Sequence, residues 1–564
     1  TFNPRVRSVM ADSSEGSDID EVINSDLNEI RQDDFNELND IPDDVDVPAD
    51  RVVREQWIQA MFREEEGEMR EFVGFQEEWK TNNFHSREKI PYNRKPGAKI
   101  EIPDVVTPIQ VFSRIFTEEL WMRLVTETNL YADQTRSATP SNSKWVPVTV
   151  KEMKTFVGLC LAMGILRLPS RRDFWRQKKW LFRTTIPQAI SRDRFDIIWR
   201  YLHLQDNKSN DVKQSDKLWK VRWYLDYLKD RFQELYEVDG FVSVDESMVK
   251  FKGRLAFRQY LPLKPTKWGI KVWVMAESST GYVSNFQVYT GREGGSSEKG
   301  LAHRIVMDLA GPYFGSQLSI FMDNFYSGVP LFEELKAHGL NACGTVRSNR
   351  KGIPPKPPAM EKHRYQVYQK DDLTFCAWQD TKVVLVLSNY HEPMAEGSVR
   401  RRRGEDIQRE VRVPACVSDY QKHMKGVDLL DQMVSYYQFQ HRSKKWWRRL
   451  FFFFLSVSCY NSFIAARSAG AYKGCYKEWQ EDLAQELVTP VTAKSAPQCA
   501  AAPVTASAEH DCEKIFEKRK ICRECSLSKS GTEARPGATV YGCRQCNVPL
   551  HIECFGKHCR STRK

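Results

Sequence analysis

Asp428 and Asp431 stand three apart in HMKGVDLLDQM (423–433), an otherwise apolar stretch that opens after Gly426. Residues three apart share a helical face, so this pattern presents two carboxylates side by side. Asp245 closes an apolar run in SVDESMVKFKG, and Asp323 closes another in IFMDNFYSG. One aspartate at the end of a strand is ordinarily a cap. Several at the ends of elements that can meet point to a divalent metal centre, because carboxylates crowded together repel one another without a cation. Two Mg²⁺ ions roughly 3.5–4 Å apart can activate a water and hold the departing oxygen of a phosphodiester. Asp245 and Asp323 are therefore candidate magnesium ligands, with Asp428 or Asp431 to supply a third acid and Mn²⁺ as a substitute ion. Glu246 is expected to point to the opposite face of the strand from Asp245 and is set aside.

The second constellation is terminal. Six of the 14 cysteines lie after residue 520, as Cys522-x-x-Cys525, Cys543-x-x-Cys546, His551-x-x-Cys554 and Cys559, with His558 beside the last. Structural Zn²⁺ takes four sulfur or nitrogen ligands, so eight candidates suit two ions. A cross-brace order assigns Cys522, Cys525, His551 and Cys554 to one ion, and Cys543, Cys546, His558 and Cys559 to the other. About 50 residues with few apolar ones cannot build a core unaided, so metal must supply folding energy. Cross-brace zinc domains also serve ubiquitin ligases and histone-tail readers. The basic surround, with Lys520, Arg523 and Arg544, favours nucleic acid.

The elements that must position the acids follow from periodicity. Residues 105–238 carry apolar residues at helical spacing over 107–132, 149–166, 191–204 and 218–236, which predicts an all-helical domain. From 239 the pattern turns to β-branched strands. Three strands, a helix, a strand, a helix and a strand follow to residue 349, the order of a ribonuclease-H-like α/β core. In such a sheet the first and fourth strands are neighbours, and a helix beside them can bring in a third acid. Residues 350–415 read as a β-rich insertion domain that includes the run RRRR at 400–403, either a phosphate track or a mobile loop. Residues 416–437 supply the last core helix, and 438–487 return to the helical domain. A linker at 488–514 precedes the zinc-binding domain at 515–564. The predicted class is thus multidomain α/β: a ribonuclease-H-like core, a split all-α domain and a cross-brace zinc tail.

A chain of 564 residues is too long for one core. Residues 11–50 hold a single basic residue, Arg31, among many acids, and residues 1–104 are expected to be largely disordered. The net charge of +10 therefore understates how basic the remainder is. No N-terminal apolar segment resembles a signal peptide, and the run LFFFFL (450–455) is far shorter than the roughly 20 residues a spanning helix needs. With the cysteines concentrated in one module, these features predict a nuclear protein with no membrane partner.

Basic and aromatic residues gather near the acids. RSKKWWRRL (442–450) mixes five cations with two tryptophans. Cations neutralise phosphates, and an indole can stack on an unpaired base for ~1–3 kcal/mol. The plainer alternative is a helix end whose long cations lie over a core tryptophan. Candidate DNA contacts are Arg442, Lys444, Lys445, Trp446, Arg448 and Arg449 here, and Arg254, Lys264, Lys267 and Lys271 in KGRLAFRQYLPLKPTKWGIK. Arg347, Lys351 and Lys425 join them.

SVDESMVKFKGRLAFRQYLPLKPTKWGIK, FMDNFYSG, ACGTVRSNRKG and HMKGVDLLDQM, in that order and followed by the cysteine module, together resemble the piggyBac transposase family. The resemblance implies an aspartate triad at Asp245, Asp323 and Asp428 with Asp431 as the family's further acid. It also implies that Trp446 lies near a DNA hairpin end. It implies cut-and-paste transposition at TTAA sites, binding of terminal inverted repeats through the zinc domain, and a homodimer built through the helical domain. The alternative is a domesticated DNA- or chromatin-binding protein without catalytic activity; the three intact aspartates speak against it.

Overall fold

The structure is a computed structural model that describes residues 79–138, 145–177, 184–208, 216–262, 264–291, 300–403, 407–488, 512–516, 519–523, 538–543, 546–551 and 554. The acidic stretch 11–50, the rest of the chain before residue 79, and the expected linker from 489 to 511 lie outside the described residues. The chain divides into two units, Thr1–Thr492 and Ala493–Lys564.

In the first unit the helices α1 (Pro108–Ile115), α2 (Glu118–Ala138), α3 (Val150–Ile165), α4 (Arg192–Tyr201) and α5 (Arg222–Leu235) follow the predicted helical periodicity. Their starts are written locally. Thr149 accepts from the Glu152 amide at 3.2 Å while Glu152 accepts from the Thr149 amide at 3.2 Å, a reciprocal cap on α3.

The strands β1 (Gly97–Ala98), β2 (Tyr236–Glu237), β3 (Phe241–Lys250), β4 (Gln259–Tyr260), β5 (Trp268–Glu277) and β6 (Val283–Val288) precede α6 (Leu301–Ala310). Then come β7 (Ser319–Met322), α7 (Val329–Ala337), β8 (Asn341–Thr345), β9 (Tyr365–Lys370), β10 (Leu373–Gln379) and β11 (Val383–Ser388). The central sheet has the order β4–β5–β3–β7–β8–β11–β10–β9, with β6 also paired to β5. β3, β7 and β8 run parallel, and the remaining pairs are antiparallel. Val242 and Val244 face a core shared with α6 and α7, whereas Val249, Ile270, Val272 and Val274 face the core of the helices. Successive residues of β5 serve the two cores in turn, Val272 and Val274 on one side and Trp273 and Met275 on the other, which is why β5 reads as a nearly continuous apolar run.

Three expectations are corrected. First, residues 79–104 are ordered. Lys80 and Gln369 exchange backbone hydrogen bonds at 2.8 and 2.9 Å, covering the β9 edge, and β1 pairs with β2. The acidic bias that predicted disorder belongs to the residues before this stretch. Second, the segment 350–415 does not form a sheet of its own with its first strands. Val386 pairs with Thr345, so β11, β10 and β9 extend the central sheet from β8. β10 is buried along its whole length and β11 over its last four residues, and pairing β11 onto β8 satisfies an edge that would otherwise be open. Only β12 (Glu396–Arg403) and β13 (Ile407–Pro414) stand apart, as a hairpin. Third, the single helix expected over 416–437 is two, α8 (Ala415–His423) and α9 (Gly426–Tyr437).

α10 (Trp446–Ser468) and α11 (Tyr476–Leu487) complete the helical part. α10 is long and apolar enough to cross a membrane, yet 94% of its apolar window is buried, with Leu450 to Leu455 inside the helical core. It is a core helix, as its flanking arginines suggest.

Candidate active site

Val244 pairs with Met322 in parallel register, so Asp245, midway along β3, and Asp323, just past the carboxyl end of β7, lie at the same height on two neighbouring strands. β7 ends at Met322 while β3 runs on to Lys250, which leaves a notch beside β3. Such carboxyl-end crevices are where open α/β sheets expose their sites. Each carboxylate is held by a local amide. Asp245 Oδ1 accepts from the Glu246 N–H at 2.8 Å, and Asp323 Oδ1 accepts from the Phe325 N–H at 2.8 Å.

α9 lies along β3 on the Asp245 face. The Val427 N–H donates to Ser243 Oγ at 3.1 Å, and Ser247 Oγ donates to Asp431 Oδ1 at 2.6 Å. Asp428, exposed in the first turn of α9, falls between these two ties and so alongside Asp245. Gly426 permits the approach. A Cβ there would stand 2.5 Å from the Glu277 carbonyl oxygen and 2.8 Å from Ser243 Oγ. The two carboxylates three apart in the sequence therefore act at different depths: Asp428 is exposed, and Asp431 is half-buried and anchored to β3.

Burial pushes the Asp245 carboxyl up to about 8; Lys264 opposes this, while Glu246 and Asp323 add to it. Burial likewise raises Asp431 to about 7, against Ser247 and Lys264 and with Asp428. Asp323 is raised by burial too, with the Phe325 amide opposing. Lys264 Nζ lies 3.4 Å from Asp245 Oδ2 and donates to the Glu246 carbonyl at 3.1 Å. Burial disfavours its ammonium, but Asp245, Glu246, Asp431 and Asp428 together hold it above the usual lysine range. Lys271 is instead lowered by burial, although Glu246, Asp245 and Asp323 pull the other way. Its Nζ sits 4.8 Å from the centre of the Phe325 ring. The site is thus a crowd of acids in which lysine ammonium groups supply the positive charge.

Glu246 belongs to this crowd. It accepts from Tyr326 OH at 3.3 Å and acts electrostatically on Asp245, Asp323 and Asp431. Strand alternation alone assigns it to the other face. Because β7 has already ended, both faces of β3 open into the same notch. Ser247 was also missed, although its position two residues after Asp245 puts it on the same face. The ligand atoms of the aspartates do not all lie within 4.8 Å of one another; among the described residues that closeness is reached by Cys522, His551 and Cys554.

The candidate DNA contacts separate by exposure. Arg254, Lys267, Lys351, Lys425, Arg442 and Lys444 are exposed, and Arg347 is half-buried with its Nε on Asn324 Oδ1 at 3.1 Å. Lys264 and Lys271 turn into the acids instead. Trp446 is half-buried, edge-on to Phe257 at 5.5 Å. Lys445 and Arg449 are half-buried, and Arg448 is buried, with its guanidinium donating to the carbonyls of Arg200 and Leu202 at 3.0 and 3.3 Å. The basic run is a helix start wedged between elements, so only some of its cations reach a surface.

The family model described as transposase IS4 matches residues 107–463, more than half the chain and all four aspartates. The chain belongs to the piggyBac-type transposase IS4 family. The chain is 25% identical to the human PiggyBac transposable element-derived protein 3 over 469 residues, 79% of this chain and 75% of that one. It is 28% identical to the human PiggyBac transposable element-derived protein 2 over 398 residues, 67% of this chain and 63% of that one. Among solved structures it is similar to a chain of the piggyBac transposase synaptic complex with hairpin DNA. That likeness has a TM-score of 0.64 at 24% identity and covers 82% of this chain and all of that one. At that identity it speaks for a shared mixed α/β fold.

The second unit of the transposase is built from short strands: β14 (Cys512–Lys514), β15 (Lys520–Ile521), β16 (Ala538–Thr539), β17 (Tyr541–Cys543) and β18 (Val548–Pro549). Cys522 is buried, and its Sγ accepts from the His551 N–H at 3.4 Å. Cys522, His551 and Cys554 bring their ligand atoms within 4.8 Å of one another. These are three of the four residues assigned to one ion by the cross-brace order. The fourth, Cys525, lies outside the described residues, as do Arg544, His558 and Cys559. Cys543 is buried beside Cys522 and Leu550, with Cys546 packed against them; Lys520 and Arg523 are exposed.

Proposed function

We propose that this chain is a DNA transposase that nicks DNA and transfers the freed strand, in a metal-dependent cut-and-paste reaction. What supports the proposal is that Asp245 and Asp323 follow paired residues of two neighbouring parallel strands, while Val427 and Asp431 tie the helix that carries Asp428 to the same strand β3. The strand order β6–β5–β3–β7–β8, antiparallel up to β3 and parallel after it, supports a ribonuclease-H-like core.

The donor set fits divalent magnesium. Carboxylates buried together hold their protons above the usual range, and a hard dication relieves that repulsion. Asp245, Asp323 and Asp428 would hold two Mg²⁺, or Mn²⁺, which when bound supply an acidified water and charge neutralisation at the leaving oxygen. Ser247 and Asp431 fix α9 to β3 and so hold Asp428 in place. The exposed cations Arg254, Lys267, Lys351 and Lys425 would receive phosphates of the bound DNA. The tail donors fit Zn²⁺: the two thiols and the imidazole of Cys522, Cys554 and His551 converge, Cys525 would be the fourth ligand, and Cys543, Cys546, His558 and Cys559 would hold a second ion. The tail would read terminal inverted repeats. TTAA targeting, hairpin ends, a homodimer and nuclear residence complete the proposal and rest on family membership.

The names of the human relatives, as transposable element-derived proteins, keep a second reading in view: a DNA-binding protein that no longer cuts. Mg²⁺- or Mn²⁺-dependent nicking of duplex DNA by the purified chain separates the two. Asp245→Ala, Asp323→Ala and Asp428→Ala should each reduce nicking to background while DNA binding persists. Full nicking by any of these variants would remove the triad.

A further inference from the structure

A pocket of about 410 Å³ opens where α4 meets the start of α10, lined by Arg171, Asp196, Trp199, Arg200, Lys445 and Arg448. None of the acids of the candidate active site lines it. Four cations face one carboxylate there, and that carboxylate is already taken, since Arg171 Nη2 lies 2.6 Å from Asp196 Oδ1. The indole of Trp199 forms the aromatic wall. The Arg171 guanidinium lies 5.1 Å from its ring centre and that of Arg448 lies 4.9 Å away. Arg448 is 4% exposed and its Nη2 donates to the Arg200 and Leu202 carbonyls, so it lends the pocket wall fixed positive charge rather than a free donor. Guanidiniums fixed against an aromatic plane are pre-arranged to receive an oxyanion, and Arg200 at the rim is free to do so. Burial and then Arg448 and Lys220 press the Lys445 ammonium down to about 8.

We propose that this pocket is an oxyanion site for a backbone phosphate of DNA, distinct from the metal-binding notch. The volume is far more than one phosphate fills, which leaves room for the flanking sugars and favours a phosphodiester within a strand over a free phosphate. The proposal deepens the transposase reading and rests on it for the identity of the polymer. Only Lys445 and Arg448 stood out in the sequence as cations beside tryptophans. Arg171, Trp199 and Arg200 come from a separate stretch that folding brings to them.

The test uses the full chain and a short duplex of arbitrary sequence. Arg200 is exposed at the rim, so Arg200→Gln should fold; Arg171→Gln is the second variant, and melting curves check both. Each substitution should weaken duplex binding alike for all sequences and lower the slope of log K against log salt by about 0.9. Inorganic phosphate at millimolar concentration should leave the melting temperature of the wild type unchanged. A rise in that temperature in the wild type but in neither variant would keep the oxyanion pocket and overturn the backbone source in favour of a free or terminal phosphate. Unchanged affinity and slope in both folded variants, with no phosphate effect, would overturn the site. Nicking by the wild type is measured separately: a chain that never nicks but shows the slope change loses the catalytic reading and keeps the pocket.

Discussion

Asp245 and Asp431 hold their protons to about 8 and about 7 because burial and neighbouring acids disfavour the charged form. An unfolded aspartyl side chain titrates near 3.9. Between those limits the folded chain binds more protons than the unfolded one, so metal-free stability should fall as pH rises from about 4 to about 8. Mg²⁺ binds the deprotonated form, so its stabilisation should grow over the same range. Thermal melting with Mg²⁺ and with chelator, from pH 5 to pH 8, checks both signs; a chelated protein that gains stability with rising pH across that window would contradict the assignment. Asp431→Asn keeps an acceptor for Ser247 but carries no charge. It should flatten the upper part of this pH dependence while leaving α9 seated. Glu246 and Ser247 show why residue-level reading stops short: both flank Asp245 in sequence, yet only the early end of β7 reveals that they share its notch.

At the scale of elements, α9 is the part on which the site depends most. It runs from Gly426, where the backbone meets the Glu277 carbonyl, to its anchor at Asp431. Gly426→Ala places a methyl where no space exists. Overpacking of this kind costs roughly 1–3 kcal/mol. The variant should melt several degrees lower and nick more slowly, because the helix start that carries Asp428 must move away from β3. Equal melting and equal nicking would mean that the helix tolerates displacement. The helices were legible because their apolar periodicity and caps are local, as the Thr149–Glu152 exchange illustrates. The destination of β9, β10 and β11 was not. Their apolar residues predict strands, but pairing onto β8 is a choice among edges that only the assembled sheet offers.

At the scale of the whole molecule, the two units should respond separately to metal removal. A chelator strong enough to strip zinc should unfold the unit that holds Cys522, His551 and Cys554, since few apolar side chains hold it together. The melting transition of the larger unit should stay in place, because the described residues of its cores pack through apolar side chains. Calorimetry with and without chelator, alongside binding to end-containing DNA, reads both effects. Loss of the main transition on zinc removal would show that the larger unit depends on the tail. Deleting residues 515–564 should remove preference for terminal repeats while general duplex binding remains.

The amino-acid sequence by itself determined the family, and it singled out four aspartates and a candidate metal cluster, of which Cys522, His551 and Cys554 lie together in the structure. These are matters of residue type and spacing, which survive without a partner element in view. Tertiary structure alone decided that Lys264 turns its ammonium into the acids, that Arg448 is buried, and that Glu246 reaches the notch. Each of these depends on where a neighbouring strand ends or which helix packs against a side chain. No local pattern carries that, because the charge environment of a side chain is set by residues distant in the chain.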